Sequence, residues 1–219
     1  MKAHVHPLAG VIAALARAVS GVQVRRVGGK PSASQRIYFA NHTSHLDFVV
    51  LWSTLPSELR ARTRPIAAKD YWSTGIKSFL AERVFRAVLV DRRRIASQEA
   101  GDVRPHASAF AVIDQMAEAL GEMDSLIIFP EGTRGSGETV APFRSGLYHL
   151  AKKRPQVELV PVYLENLNRI LPKGEILPVP VVSLLTFGPP MHVGETEDKN
   201  AFLGRARAAV CELRRRKEV

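Results

Sequence analysis

Cysteine is all but missing from this chain: Cys211 is the single one among 219 residues. One thiol makes neither an internal disulfide nor a paired-cysteine zinc site, and it fits a reducing compartment. Long hydrophobic runs are missing too. No apolar stretch reaches the roughly 18 residues that mark a spanning helix. There is no internal repeat and no low-complexity tract. A G-x-S-x-G elbow is absent, which leaves an enzyme serine nucleophile without support. The Gly-Lys-Ser/Thr ending of a P-loop is absent as well, which argues against a nucleoside triphosphate. Acidic residues run short, 21 against 31 Lys and Arg, for a net charge of +10. Such a surface attracts polyanions, whether anionic lipid, nucleic acid or phosphorylated substrates. No Arg-Gly or aromatic-basic repeat of the single-strand binders is present, so no nucleic-acid partner is expected.

What is there suits one domain with a short appendage. The hydrophobic share is 46% and the charged share 24%, ordinary for a globular protein. In "PLAGVIAALARAVSG" Lys2 precedes a short apolar core, as in a signal peptide. However, Leu8, Val11, Ile12, Leu15 and Val19 recur at helical spacing. We therefore expect an amphipathic helical segment over 1–24, packed on the domain or lying on a membrane. Residues 25–219 form the main domain, ending in a basic amphipathic helix near 199–217. Short apolar runs occur at 36–40, 64–68, 86–90, 125–129, 157–164 and 181–187. Helical patterns fall near 44–55, 71–82, 104–121, 144–153 and 199–216. This alternation predicts an α/β fold, a mixed and largely parallel sheet covered by helices. Ligands of such sheets sit at the carboxyl ends of the strands. "NHTSHLD" (41–47) and "FPEGTRG" (129–135) each follow a predicted strand and would face that crevice.

Three readings fit "NHTSHLD". As a metal site, His42, His45 and Asp47 would need a second ligand cluster. His4 and His6 lie near a terminus, while His106, His149 and His192 stand singly, so no metal is expected. As a helix start, Ser44-His45-Leu46-Asp47 matches a capping box, with Asp47 at the positive end of the dipole. That accounts for Ser44 and Asp47 but not for His42. As a base, His42 needs a partner. Residues five apart on a straight helix are turned roughly 140° from one another, so His42 and Asp47 cannot share a helical face. If the helix begins at Ser44, His42 lies in the preceding turn and can fold back. Asp47 then accepts from one imidazole nitrogen and leaves the other as a base. The cap and base readings are compatible. A base without an enzyme nucleophile implies that the substrate brings its own hydroxyl.

The Gly-rich stretch "LIIFPEGTRGSGE" reads as a plain turn or as an anion site. Gly132, Gly135 and Gly137 allow close backbone approach, and Arg134 offers a fork for phosphate oxygens. Arg92, in "VDRRR", and Lys69, after "RPIAA", also follow predicted strands. Positive charges around a base imply a phosphorylated alcohol as acceptor.

At this point the residues resemble the glycerolipid acyltransferases typified by 1-acyl-sn-glycerol-3-phosphate acyltransferase. Asn41, His42 and Asp47 match the family's N-H-x-x-x-x-D motif, with Ser44 in its usual place. Phe129, Pro130, Glu131, Gly132, Thr133 and Arg134 match F-P-E-G-x-R in full. "RAVLVDR" meets a G-x-x-F-I-x-R motif in part: Arg86 and Leu89 replace Gly and Phe, while Arg92 holds. Pro161 in "LVPVY" and the segment "PFRSGLYHLA" complete a likeness over about residues 30–190.

The resemblance implies transfer of an acyl chain from an acyl carrier protein or coenzyme A thioester to a lysophospholipid hydroxyl. The expected acceptor is 1-acyl-glycerol-3-phosphate, giving phosphatidic acid. By it, His42 deprotonates the hydroxyl and Asp47 holds His42. Glu131, Gly132, Thr133 and Arg134, with Arg92, position the glycerol phosphate, and Lys69 is added from its placement. No resident cofactor is expected. Another acceptor such as lyso-ornithine lipid, or a non-enzymatic anionic-lipid binder, remains the alternative. The expected location is peripheral, on the cytoplasmic face of a membrane with anionic lipid as partner, and cytoplasmic otherwise. In the C-terminal helix Phe202, Ala206, Ala209, Val210 and Leu213 make a stripe beside arginines that suits such a surface. His45 is expected to be a bystander.

Overall fold

The computed structural model describes residues 6–29, 31–91, 105–170 and 182–215. The elements in chain order are α1 (Leu8–Ser20), β1 (Gln23–Arg26), β2 (Arg36–Ala40), α2 (Asp47–Ser53), α3 (Ser57–Ala61), β3 (Thr63–Ala68), α4 (Lys69–Trp72), α5 (Gly75–Phe79), β4 (Val88–Val90), α6 (Pro105–Leu120), β5 (Ser125–Ile128), α7 (Gly146–Lys153), β6 (Glu158–Glu165), α8 (Leu167–Ile170), β7 (Leu184–Phe187) and α9 (Lys199–Arg215). The strands join in one sheet of order β1-β7-β6-β2-β5-β3-β4. From β6 to β4 every pairing is parallel, and β7 runs antiparallel to β6. The fold is thus α/β with a mixed, mostly parallel sheet, as the alternation predicted.

The central strands are apolar because both faces are covered. On β2, Ile37 and Phe39 enter one core with Leu126, Phe143, Leu147 and Phe202. Tyr38 and Ala40 enter the other with Ile127, Trp52, Phe85, Ala9 and Ala13. Successive residues point to opposite faces, so a five-residue strand serves both layers. The parallel strands β2 to β6 all end at one edge. His42, Lys69, Asp91, Glu131 and Asn166 follow those ends within three residues.

Three local departures from expectation have visible causes. The expected helix over 71–82 is broken: α4 stops at Trp72, and Gly75 takes a left-handed φ of 58° that ends the run. A π-turn over Leu80–Val84 follows, closed by Phe85 N–H donating to the Leu80 carbonyl at 2.9 Å. The helix expected from Ser44 begins only at Asp47. β1, α3 and α8 have no counterpart among the predicted elements.

The terminal helices differ most from expectation. The stripe of α9 is not a lipid-facing surface, because Phe202, Ala206, Val210 and Leu213 are buried in the sheet core. Two of its arginines are occupied: Arg207 donates to the Val140 carbonyl at 2.8 Å, and Arg214 donates to the Glu138 carbonyl. Arg216 lies outside the described residues. In α1 the buried residues are the small ones, Ala9 and Ala13, while Leu8, Val11, Leu15 and Val19 are exposed. Among the described residues no helix is long and apolar enough to cross a membrane.

Candidate active site

The turn after β2 is held by one carboxylate. Asp47 is fully buried, and its Oδ2 accepts from the Thr43 and Ser44 amides at 2.6 and 2.8 Å. The same oxygen lies 2.8 Å from His42 Nδ1. Three donors on one oxygen draw residues 42–44 into a tight turn ahead of α2. That is why the helix starts late: the Asp47 carboxylate already satisfies the amides a longer helix would leave open. Only half of the capping box forms, since Ser44 Oγ accepts from Leu46 N–H at 3.3 Å. Asp47 Oδ1 is buried with no hydrogen-bond partner, so those three donors solvate the charge.

His42 sits at the crevice with its side chain 18% exposed and stacks on Phe129 at 4.3 Å between centroids. With the Asp47 carboxylate accepting, the imidazole proton lies on Nδ1 and the lone pair on Nε2. A buried carboxylate also stabilises the imidazolium formed when Nε2 takes a proton. Such a pair can take up a proton at Nε2.

Asn41 and Glu131 lock this turn to its neighbours. Asn41 exchanges two hydrogen bonds with the backbone of Leu164 on β6, at 2.9 and 2.8 Å. Glu131 is buried; Oε1 accepts from His42 N–H at 2.7 Å and Oε2 from Ala141 N–H at 2.8 Å. The structure places Glu131 inside the wall, apart from its expected place among phosphate-positioning groups. A carboxylate there braces two loops and repels rather than attracts an anion. Gly135 N–H donates to the His42 carbonyl at 2.8 Å, a second tie between the two motifs. Gly132 has φ 74°, and a Cβ added there would lie 2.4 Å from Arg144 Nε. Arg144 in turn donates to the Glu131 carbonyl at 3.3 Å. No other residue type fits at 132 without moving Arg144.

Thr133 and Arg134 are exposed on the loop. Lys69 is exposed at the end of β3 and lines a cavity of about 200 Å³ with Leu89, Asp91, Ala111, Val112 and Gln115. Arg92 lies outside the described residues. Arg86, standing where the second motif carries Gly, has φ 51°, the left-handed conformation that glycine adopts without strain. Its guanidinium pairs with Asp124 at 2.7 Å, which offsets part of that strain. Among the described residues no group of three or more His, Cys, Asp or Glu could hold a metal ion.

His45 is not isolated. Its ring stacks on Tyr71 at 4.8 Å, and Lys77 Nζ lies 3.9 Å from the centroid of the same tyrosine. Burial, then Arg134, His42 and Lys77, hold its pKa below the ordinary imidazole value, with Asp47 opposing. No periodicity or motif joins His45 to α4 and α5, so sequence reasoning had no signal for this contact. Arg144 and Arg207 were missed for the same reason.

With the geometry established, the chain can be set beside known proteins. Residues 14–165 match the family model described as Acyltransferase. The 1-acyl-sn-glycerol-3-phosphate acyltransferase alpha of Homo sapiens is 31% identical over 158 residues, covering 70% of this chain and 49% of that protein. The 1-acyl-sn-glycerol-3-phosphate acyltransferase of Salmonella typhimurium is 27% identical over 151 residues, 66% of this chain and 53% of that protein. The chain spans about half the length of these curated relatives. The crystal structure of the 1-acyl-sn-glycerophosphate (LPA) acyltransferase PlsC from Thermotoga maritima superposes with a TM-score of 0.69 at 18% identity, covering 97% of this chain and 80% of that one. At that identity the likeness is one of fold.

Proposed function

The chain belongs to the Acyltransferase family, and from that footing we propose that it acylates the free hydroxyl of a lysophospholipid from a thioester donor. The acceptor that suits the site best is 1-acyl-glycerol-3-phosphate, which gives phosphatidic acid. The donor is an acyl thioester of acyl carrier protein or coenzyme A, and no resident cofactor takes part. The observation that carries this reading is the His42–Asp47 pair, 2.8 Å apart at the carboxyl end of β2 and tied through Glu131 to the Gly-rich loop.

His42 Nε2 takes the acceptor's hydroxyl proton as its oxygen attacks the thioester carbonyl. The tetrahedral intermediate collapses, the C–S bond breaks, and the imidazolium returns the proton to the leaving thiolate. Asp47 keeps Nδ1 protonated throughout. Gly132, Thr133 and Arg134, with Arg92 and Lys69, are assigned to the acceptor's phosphate, while Glu131 keeps the loop registered on His42. The relatives' printed names support the phosphate-bearing acceptor, as does the net charge of +10.

The same reading places the protein peripherally on an anionic bilayer, at its cytoplasmic face. It rests on the exposed Leu8, Val11, Leu15 and Val19 of α1 and on Ile76 and Phe79 of α5. The ring of His6 meets Phe79 edge-on at 5.6 Å, so the two apolar patches adjoin.

The test offers purified protein a panel of lysolipids, lyso-ornithine lipid included, with both donor types, and reads products by mass spectrometry. Transfer to 1-acyl-glycerol-3-phosphate should fall about 10²–10⁴-fold in His42→Ala, the span of general-base catalysis. No transfer to any lysolipid, or undiminished transfer by His42→Ala, overturns the reading. Exclusive transfer to lyso-ornithine lipid would replace the acceptor and keep the mechanism.

A further inference from the structure

The base and its brace leave unused one polar cluster that begins three residues beyond His42. His45 comes from the turn before α2, Tyr71 from α4 and Lys77 from α5, and the fold assembles them as described above. All three are exposed, so nothing in the core requires their contact. The platform beneath them is firm. Trp72 meets Tyr71 edge-on at 5.6 Å and Phe48 of α2 at 5.4 Å, and so seats α4 against the helix that carries Asp47. Arg134 and His42 lie within electrostatic reach of His45, as does Lys77. Positive charge from α5 and from the Gly-rich loop thus acts together on His45. Cations held close together repel, and that repulsion is relieved by an anion.

We propose that His45, Tyr71 and Lys77 form, with Arg134, a phosphate-monoester subsite that selects the acceptor's headgroup. The proposal rests on the acceptor reading above and adds three residues to it. A monoester dianion would take charge-assisted hydrogen bonds from Lys77 and Arg134, a third from the Tyr71 hydroxyl, and a fourth from His45 once protonated. Unoccupied, His45 is neutral near pH 7, because burial, Arg134, His42 and Lys77 outweigh Asp47. A dianion in contact reverses that balance, so binding takes up a proton at His45 and strengthens as pH falls toward the imidazole range. A choline phosphodiester brings one negative charge and its own cation. It gains little from the cluster.

Two measurements test this, the first without turnover. The full chain, with its histidine imidazoles followed by NMR, is titrated with pH in the absence and presence of glycerol 3-phosphate, and His45→Gln assigns the resonance. We expect the His45 pKa to rise by roughly one unit on saturation, as for an imidazole gaining a contacting anion. No response at His45 overturns the proposal, and so does a response to coenzyme A alone, which would give the cluster to the donor. In kinetics, Lys77→Gln and His45→Gln should raise KM for 1-acyl-glycerol-3-phosphate about tenfold, the effect of losing a hydrogen bond to a charged group. KM for the donor and KM for lysophosphatidylcholine should stay put. Equal rises for both acceptors overturn the subsite. A chain that shifts His45 with glycerol 3-phosphate yet acylates no lysolipid keeps the subsite and loses the catalytic reading.

Discussion

Helices α1 and α9 carry similar signatures in sequence and meet opposite fates. Each shows an apolar stripe beside polar residues. In α9 the stripe of Phe202, Ala206, Val210 and Leu213 is core, and Arg207 and Arg214 reach back to hold the Gly-rich loop. In α1 the larger residues look outward, and the helix approaches its neighbours through Ala9 and Ala13. Arg17 of α1 donates to the Ser53 carbonyl at the end of α2, which fixes this close approach. Periodicity marks a face but does not say what covers it. Small residues on the other side of a helix are the overlooked cue, because they permit close packing. A face left exposed is then available to another apolar phase.

The largest effect expected on this contrast is on stability. Phe202→Ala removes a fully buried ring and should cost about 3–5 kcal/mol, lowering Tm by on the order of 10 °C. Leu15→Ala should change stability by no more than about 0.5 kcal/mol, since Leu15 is 58% exposed. Thermal denaturation of the two variants decides it. Equal losses would mean that α1 is covered after all.

The next effect is on membranes and has the opposite order. Val11→Asp with Leu15→Asp should weaken binding to vesicles of anionic phosphatidylglycerol roughly a hundredfold, at about 1.5 kcal/mol for each side chain withdrawn. Arg207→Ala should leave vesicle binding alone and lower transfer activity, because it releases the Val140 carbonyl beside Ala141, whose amide Glu131 holds. Vesicle co-sedimentation read beside an activity assay separates the two. Weaker vesicle binding by Arg207→Ala would restore α9 as a lipid surface.

Legibility in the sequence followed burial. Residues 36–40 could be read as a strand because both of its faces are covered and every residue is apolar or paired. The edge strand β1, Gln23–Arg26, is exposed and polar and gave no such signal. The contact of His42 with Asp47 could be read from their spacing because both lie in one turn. Glu131 could not be placed, because its partners are backbone amides that carry no signature. Its role depends on two loops meeting, as do the contacts of His45 with Tyr71 and Lys77.

The smallest effect sharpens the contrast at the start of α9, where α1 has no equivalent acid. Arg205 of α9 pairs with Glu197 at 2.6 Å and, by that hydrogen bond first, lowers the Glu197 pKa to about 2. The sign follows from the depressed value. Above the ordinary carboxylate range the folded state holds Glu197 charged and gains from the pair. As pH falls from about 4.5 towards about 2, the unfolded chain takes up the proton first, and the gain is lost. Arg205 is 45% exposed, so screening keeps the pair below about 1 kcal/mol, or roughly 2–4 °C in Tm. Glu197→Gln should therefore melt slightly below the parent at pH 6 and together with it near pH 2.5. A gap that persists at low pH would show that Glu197 acts through its packing and not through its charge beside Arg205. In that case the ion pair adds nothing, and α9 owes its place to the apolar stripe and to the turn before it.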